Sequence, residues 1–345
     1  YLEQHKKISI YPIQHFMQWG TPQDLEEYQY WSDTFMNLIR TDTDNYTHPR
    51  LGTNIIPMAG LGKRFSDEGY TTTKPLIPVS GKPMVLQANN DLPKSISTVF
   101  VLREDMKEIE IIKSQIDKND KSIKIKSLQT VTQGQAVTAL EGLNFIEGNT
   151  DYISEPLTIG ACDNGCLYNK EALYNLMKKI EVDIIVWGIR NHSDAIRNPT
   201  MYGWIDVLES GKINRISVKK PISEKLTEPI VIGTFSFQRA NYFRRSINRL
   251  ISKDLKTNGE YYIDACINEA IEMGLNCFLF EVDSFLSWGT PNDLKTFEYW
   301  QSCFHKWEHH SYSLNKDIRV SSDQINSLIK NILILILDLM IQFYL

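Results

Sequence analysis

The sequence is poor in cysteine and lacks any excess of positive charge. The five cysteines are an odd number at irregular spacing. They argue against a disulfide framework and for a reducing compartment, the cytoplasm. The residues from Tyr1 onward carry no signal-peptide pattern, in keeping with that expectation. The formal net charge is −5, so no basic field points to nucleic acid. No Gly-Lys-Ser/Thr closes a phosphate loop of the Walker kind. Phe65 stands where a dinucleotide-binding loop would carry its third glycine. The one long apolar run, Ile332 to Leu345, is interrupted by Asp338 and Gln342. It falls short of the about 20 residues that span a bilayer. It reads as an interface helix or part of a following domain, with a membrane role a minor reading.

What is present is an ordinary globular composition, with 42% apolar and 23% charged residues over 345 positions. That length supports one or two domains. Short apolar runs alternate with helical patterns from Thr53 onward. Strands are expected at 54–59, 97–102, 123–128, 156–160, 182–188, 202–208, 213–218, 230–237 and 276–282. Helices are expected at 83–91, 104–117, 134–146, 170–180, 239–252, 262–273 and 292–307. This alternation predicts an α/β fold: a Rossmann-like mixed, mostly parallel sheet flanked by helices. The closely spaced strands of 202–237 predict a small antiparallel insertion carrying the second substrate.

The sequence repeats itself once. Ile13 to Trp31 reads IQHFMQWGTPQDLEEYQYW, and Val282 to Trp300 reads VDSFLSWGTPNDLKTFEYW. Nine positions are identical at constant offset, among them Trp19/Trp288, Thr21/Thr290, Pro22/Pro291 and Asp24/Asp293. Such self-similarity signals duplication. Residues 1–40 are therefore expected to be the C-terminal stub of a preceding, similar domain; a duplicated surface helix is the alternative. Residues 41–52, polar with Pro49 and Gly52, read as a linker. Residues 53–308 form the main domain, and 309–345 a tail.

The stretch from Thr53 to Met84 carries the chemistry. A buried strand breaks at Gly60-Leu61-Gly62, Lys63 and Arg64 follow, and Lys74 stands ten residues on. Glycines after a strand let backbone N–H groups approach an anion, and nearby cations neutralise it. The segment reads as a triphosphate-binding loop with two catalytic cations; a tight turn with solvated charges is the plain alternative. Asp163, in Cys162-Asp163-Asn164-Gly165, follows another apolar run and can be either a metal ligand or a turn residue. His305 and His309 have a ligand-like spacing, but Lys306 stands where Glu is expected. Cys162 and Cys166 lack two further ligands for zinc.

The whole stretch resembles the signature of the sugar nucleotidyltransferases (nucleotidyl-transferring pyrophosphorylases), Gly-x-Gly-x-Arg and then Lys-Pro-Leu. Arg64-Phe65, Gly69-Tyr70, Lys74 to Pro78 and Gly81 to Met84 look like the branch found in capsule and surface-polysaccharide synthesis. The resemblance implies condensation of an NTP with a sugar 1-phosphate, or a related phosphorylated alcohol, to an NDP-sugar and pyrophosphate. It implies catalytic roles for Arg64 and Lys74, and a nucleotide site at Ala59, Gly60, Leu61, Gly62, Lys63, Gln133 and Gly134. It places the sugar phosphate at Tyr202, Gly203, Lys220, Gly233 and Glu260, and Mg²⁺ at Asp163. The sequence departs from the pattern twice. Lys219 replaces the glutamate of Glu-Lys-Pro, and Ser287 replaces the second metal carboxylate. Asp283 is a substitute candidate for the latter, and a degenerate site stays open. A homo-oligomer or tandem partner domain also stays open. The rival readings are a non-catalytic nucleotide-binding regulatory or scaffold domain and a glycosyltransferase of similar sheet architecture. The second rival is disfavoured, because Asp163-Asn164-Gly165 lacks its Asp-x-Asp.

Overall fold

A computed structural model describes residues 11, 13, 15–39, 49–116, 122–146, 152–320, 322–326 and 328–329. The apolar run 332–345 and residues 41–48 of the expected linker lie outside the described residues. The described residues form two compact units, one within residues 40–297 and one within residues 1–39 and 298–345.

The strands of the larger unit are β1 (Thr53–Pro57), β2 (Pro78–Val79), β3 (Lys82–Pro83), β4 (Ser97–Arg103), β5 (Ile123–Leu128), β6 (Leu157–Ile159) and β7 (Asn164–Leu167). They continue with β8 (Ile184–Ile189), β9 (Trp204–Val207), β10 (Ile213–Ser217), β11 (Ile230–Phe237), β12 (Cys277–Glu281) and β13 (Ser284–Ser287). Nine of them form one mixed sheet with the path β10-β9-β11-β6-β1-β4-β5, and β8 joins β11 to β12. β6, β1, β4 and β5 are parallel, and β11 runs antiparallel to β6 and β8. β9 and β10 pair antiparallel, as the insertion predicts. β1 and β4 are buried along their whole length, which is why they read as unbroken apolar runs rather than alternating ones.

Helices cover both faces of this sheet. Ile55, Val99 and Val101 pack with Ala139, Leu143, Phe243 and Ile267 on one face. Ile56, Phe100 and Leu102 pack with Val85, Ile112 and Ile116 on the other. Each of these valine, leucine, isoleucine and phenylalanine side chains contributes about 1.5–3 kcal/mol on burial. Gly142 lets the helix Gln135–Ile146 sit tight on the sheet, since a Cβ there would lie 2.7 Å from Val101 and 2.9 Å from Ile55.

The chain leaves β1 for β4 and β5 on one side, then returns to β6 on the other. A crevice opens beyond the carboxyl ends of parallel strands at such a reversal. The loops after β1 and β6 and the last residue of β4 therefore converge. A separate ribbon of β7 and β13 closes this end; Trp288 N–H donates to the Asp163 carbonyl at 2.9 Å and carries Gly289 to the crevice.

In the smaller unit the helix Pro22–Ile39 packs with the later turns of the helix Pro291–Lys306 through aromatic side chains. Phe35 lies 5.5 Å from the Phe304 ring and 4.8 Å from the Tyr312 ring. His15 and Ser302 bond at 2.9 Å, and Ser32 and His310 at 3.2 Å. Among the described residues no helix is long and apolar enough to cross a membrane.

Candidate active site

The loop after β1 is shaped by Gly62, whose φ of +63° starts the short helix Lys63–Asp67. A Cβ on Gly62 would stand 3.3 Å from the Cβ of Lys74, so the loop lies directly against that residue. Phe65 turns inward and is buried, edge-on to Tyr70 at 5.0 Å. Its ring carries the Lys74 ammonium 5.6 Å from the centroid. That explains a phenylalanine where a dinucleotide loop has glycine: it is the floor under a cation. Arg64 and Lys63 are exposed at the mouth of the loop.

Lys74 Nζ donates to Asp163 Oδ2 at 2.6 Å and to the Gly289 carbonyl at 3.2 Å. Burial works against its charge, but the Asp163 carboxylate outweighs it, and the lysine pKa is raised. Lys74 is therefore an ammonium throughout the neutral range. Burial, with Asp163 beside it, pushes the neighbouring Cys162 thiol up to about 12, so that sulfur stays protonated. All five cysteines are free thiols.

Arg103, at the end of β4, was not singled out by sequence. Its side chain is buried and donates to the carbonyls of Ala59 and Gly60, the latter at 2.9 Å, while its Nε holds Asp105 at 2.7 Å. It fixes the carbonyls at the start of the glycine loop. The only sequence signal was a cation closing an apolar run.

A second group of residues comes from the insertion and its neighbours. Gly134, at φ +119°, meets the backbone of Tyr261; a Cβ would lie 2.6 Å from its oxygen and 2.7 Å from its nitrogen. Tyr261 N–H donates to the Gln133 carbonyl at 2.8 Å and the Tyr261 carbonyl accepts from Ala136 at 3.1 Å. Gln133-Gly134 and Glu260-Tyr261, one nucleotide-side and one sugar-side expectation, are thus stitched together. Gly203 makes room for the Asp264 carboxylate, which would stand 2.3 Å from a Cβ. Gly233, at φ +87°, packs against Asn164 and Ala161. The Tyr202 hydroxyl donates to Asp194 at 2.6 Å.

Of the two lysines at 219–220, it is Lys219 that faces inward. Its backbone has φ +57°, its ammonium donates to the Met201 carbonyl, and it lies over the Tyr262 ring at 5.7 Å. Burial lowers its pKa and Arg64 adds to that, while Asp264 and Glu260 oppose it. Lys220, the expected phosphate ligand, is exposed. Asp264 is the half-buried carboxyl of this group; loss of solvent around it raises its pKa to about 6, against the pull of Lys219. Arg64 acts electrostatically on both Lys74 and Lys219.

The position expected to hold a second metal carboxylate is used otherwise. The Ser287 hydroxyl donates to Asp293 at 3.1 Å, and Thr290 N–H donates to the same oxygen at 3.0 Å. Asp293 in turn bonds back to Thr290 Oγ1 through its N–H at 3.1 Å. This is a helix-capping box. Asp24 builds the same box on Thr21 in the other unit, which marks the role as structural. Asp283 donates its N–H to Leu167 O, and burial raises its carboxyl pKa. Among the described residues no three His, Cys, Asp or Glu side chains gather to hold a metal. His305 Nδ1 accepts instead from Leu314 N–H at 3.4 Å.

Comparison with known proteins agrees with this fold. The fold matches a nucleoside-diphosphate-sugar pyrophosphorylase from Vibrio cholerae RC9 with TM-score 0.58 and 22% identity, over 71% of this chain and 98% of that one. An inositol-1-phosphate CTP transferase from T. maritima matches with TM-score 0.56 and 16% identity, over 74% and 96%. An apo UDP-glucose pyrophosphorylase matches with TM-score 0.54 and 17% identity, over 74% and 99%. No curated protein matches the sequence. The family model described as Nucleotidyl transferase matches residues 53–300, which hold β1 to β13. By that match the chain belongs to the nucleotidyl transferase family.

Proposed function

We propose that the chain condenses an NTP with a sugar 1-phosphate, or a related phosphorylated alcohol, to give an NDP-sugar and pyrophosphate for surface polysaccharide. The observation that carries this reading is the Lys74–Asp163–Gly289 contact set against a glycine loop at the sheet's reversal point. A phosphate oxygen of the acceptor attacks the α-phosphorus in line; the bond to the β-phosphate oxygen breaks, and pyrophosphate leaves with that electron pair. The groups that meet carry like charge, so alignment and neutralisation are the catalytic tasks.

In this reading the N–H groups of the Gly60–Lys63 loop hold the triphosphate, and Arg103 keeps the loop carbonyls turned away. Arg64 offsets charge on the leaving pyrophosphate, and Lys74 offsets it at the transferred phosphoryl group. The acceptor side is formed by Gly203, Gly233, Glu260 and the inward ammonium of Lys219. Asp163 fits the mode in which magnesium is held by one carboxylate together with phosphates and water. When bound, that ion supplies charge neutralisation at the phosphates. Gln133 and Gly134 border the base, on a segment that Gly134 lets pack directly on the Tyr261 backbone.

The test is pyrophosphate release from a panel of NTPs and sugar 1-phosphates. One pair is expected to turn over well above the others. NTP binding by calorimetry with no pyrophosphate from any pair would instead favour a regulatory domain. The polysaccharide role rests on the likeness of Arg64 to Met84 to the capsule branch. Unchanged surface polysaccharide after deletion of the gene would remove it.

A further inference from the structure

The repeat seen in the sequence is also a repeat in three dimensions. Pro22–Ile39 and Pro291–Lys306 are both helices and begin at the same Thr-Pro. Each carries the same cap: Thr21 N–H donates to Asp24 Oδ2 at 3.0 Å, and Thr290 N–H donates to Asp293 Oδ2 at 3.0 Å. Gln18 bonds to Asp24 at 2.8 Å where Ser287 bonds to Asp293 at 3.1 Å. Trp19 meets Tyr28 edge-on at 5.3 Å, as Trp288 meets Phe297 at 5.9 Å. One local structure has been made twice.

Its two copies differ in what covers them. Val282, Phe285, Trp288 and Leu294 are 0–5% exposed, buried in the α/β unit. Their counterparts Ile13, Phe16, Trp19 and Leu25 are 42–65% exposed. Four large apolar side chains are thus exposed at just the positions where the twin contacts an α/β core. Large apolar side chains left exposed within one short segment mark an interaction site. A second copy of this chain is a poor occupant, because its own α/β unit already buries Val282, Phe285, Trp288 and Leu294 at these positions.

We propose that Ile13, Phe16, Trp19 and Leu25 dock a second α/β nucleotidyltransferase unit that lacks a closing helix of its own and uses Pro22–Ile39 as that helix. In the twin the core runs into its helix through 282–290, and the equivalent connection here is 13–21. The unit is therefore expected on the amino-terminal side, in the same polypeptide.

The test uses the polypeptide expressed from its complete gene, beside the 345-residue chain. Hydroxyl-radical labelling of Trp19 is expected to fall by about an order of magnitude in the complete polypeptide, as its exposure drops from 54% toward the 0% of Trp288. A photo-cross-linker replacing Phe16 is expected to trap an upstream segment carrying its own strand–glycine-loop motif. Leu25→Asp is expected to lower the melting temperature of the complete polypeptide and leave that of the 345-residue chain unchanged. A gene that encodes no such unit overturns the proposal. So do equal labelling of Trp19 in both proteins and equal response to Leu25→Asp. Pyrophosphate release by residues 53–300 is independent of all three readouts.

Discussion

Replacing Lys74 by methionine tests the heart of the proposed site. The substitution keeps the apolar stem over Phe65 and deletes one ammonium, 2.6 Å from Asp163. Both side chains are mostly buried, at 19% and 27% exposure. A hydrogen bond between charged partners contributes about 1.5–3 kcal/mol, and the bereft carboxylate loses it outright. For a unit of this size that is a drop of roughly 3–12 °C in melting temperature. The catalytic loss is expected to be larger, about 10²–10³-fold in turnover, the usual cost of removing one charge-stabilising donor. Pyrophosphate release and thermal unfolding are measured on the same preparations. The double variant Lys74→Met/Asp163→Asn separates the two effects. With both charges gone the fold recovers stability, because no unpaired charge is left buried, while turnover stays low. The raised pKa of Lys74 adds a further constraint: wild-type turnover does not fall through deprotonation of this lysine anywhere below its ordinary 10.5. Turnover of the single variant within about threefold of wild type would refute the reasoning, since the donor would then contribute under 1 kcal/mol.

Other predictions concern the cleft walls. Arg103→Met is expected to raise the KM for NTP more than that for the acceptor, because Arg103 holds the loop carbonyls of Ala59 and Gly60; an equal rise in both constants would point to general loosening. Gly134→Ala forces a Cβ to within 2.6 Å of the Tyr261 carbonyl and is expected to destabilise by about 1–3 kcal/mol in urea unfolding. Gly60→Ala has open space around it and is expected to leave the melting temperature alone while weakening NTP binding in calorimetry. Asp264 gives a pH signature. Its folded pKa of about 6 exceeds the ordinary 3.8, so between those values the native state holds more protons than the unfolded one. Stability from this group is therefore greatest below pH 4 and falls as pH rises through 6, by at most about 3 kcal/mol. Asp264→Asn removes that slope, and parallel urea midpoints for the two proteins from pH 4.5 to 6.5 would contradict it.

The sequence by itself determined the sheet and the loop. β1, β4 and β8 are buried on both faces, so their apolar runs show without any partner in view. The glycines after β1 and the Thr-Pro-x-Asp that opens each repeated helix act over a few residues, where local sterics and capping decide. The short strands β7 and β13 were missed because four residues give no period to read, and each is a strand only through the other, more than a hundred residues away. Only the tertiary structure decided which charges meet. Lys74 and Asp163 are 89 residues apart and come together because β1 and β6 are sheet neighbours. Lys219, at a left-handed backbone position, turns its ammonium onto the Met201 carbonyl, whereas Lys220 is exposed. Arg103 and Asp264 look like an ordinary strand end and an ordinary first helical turn until burial gives them partners. The division is physical: periodicity and caps are set by neighbours along the chain, whereas the pairing of a charge depends on long-range topology.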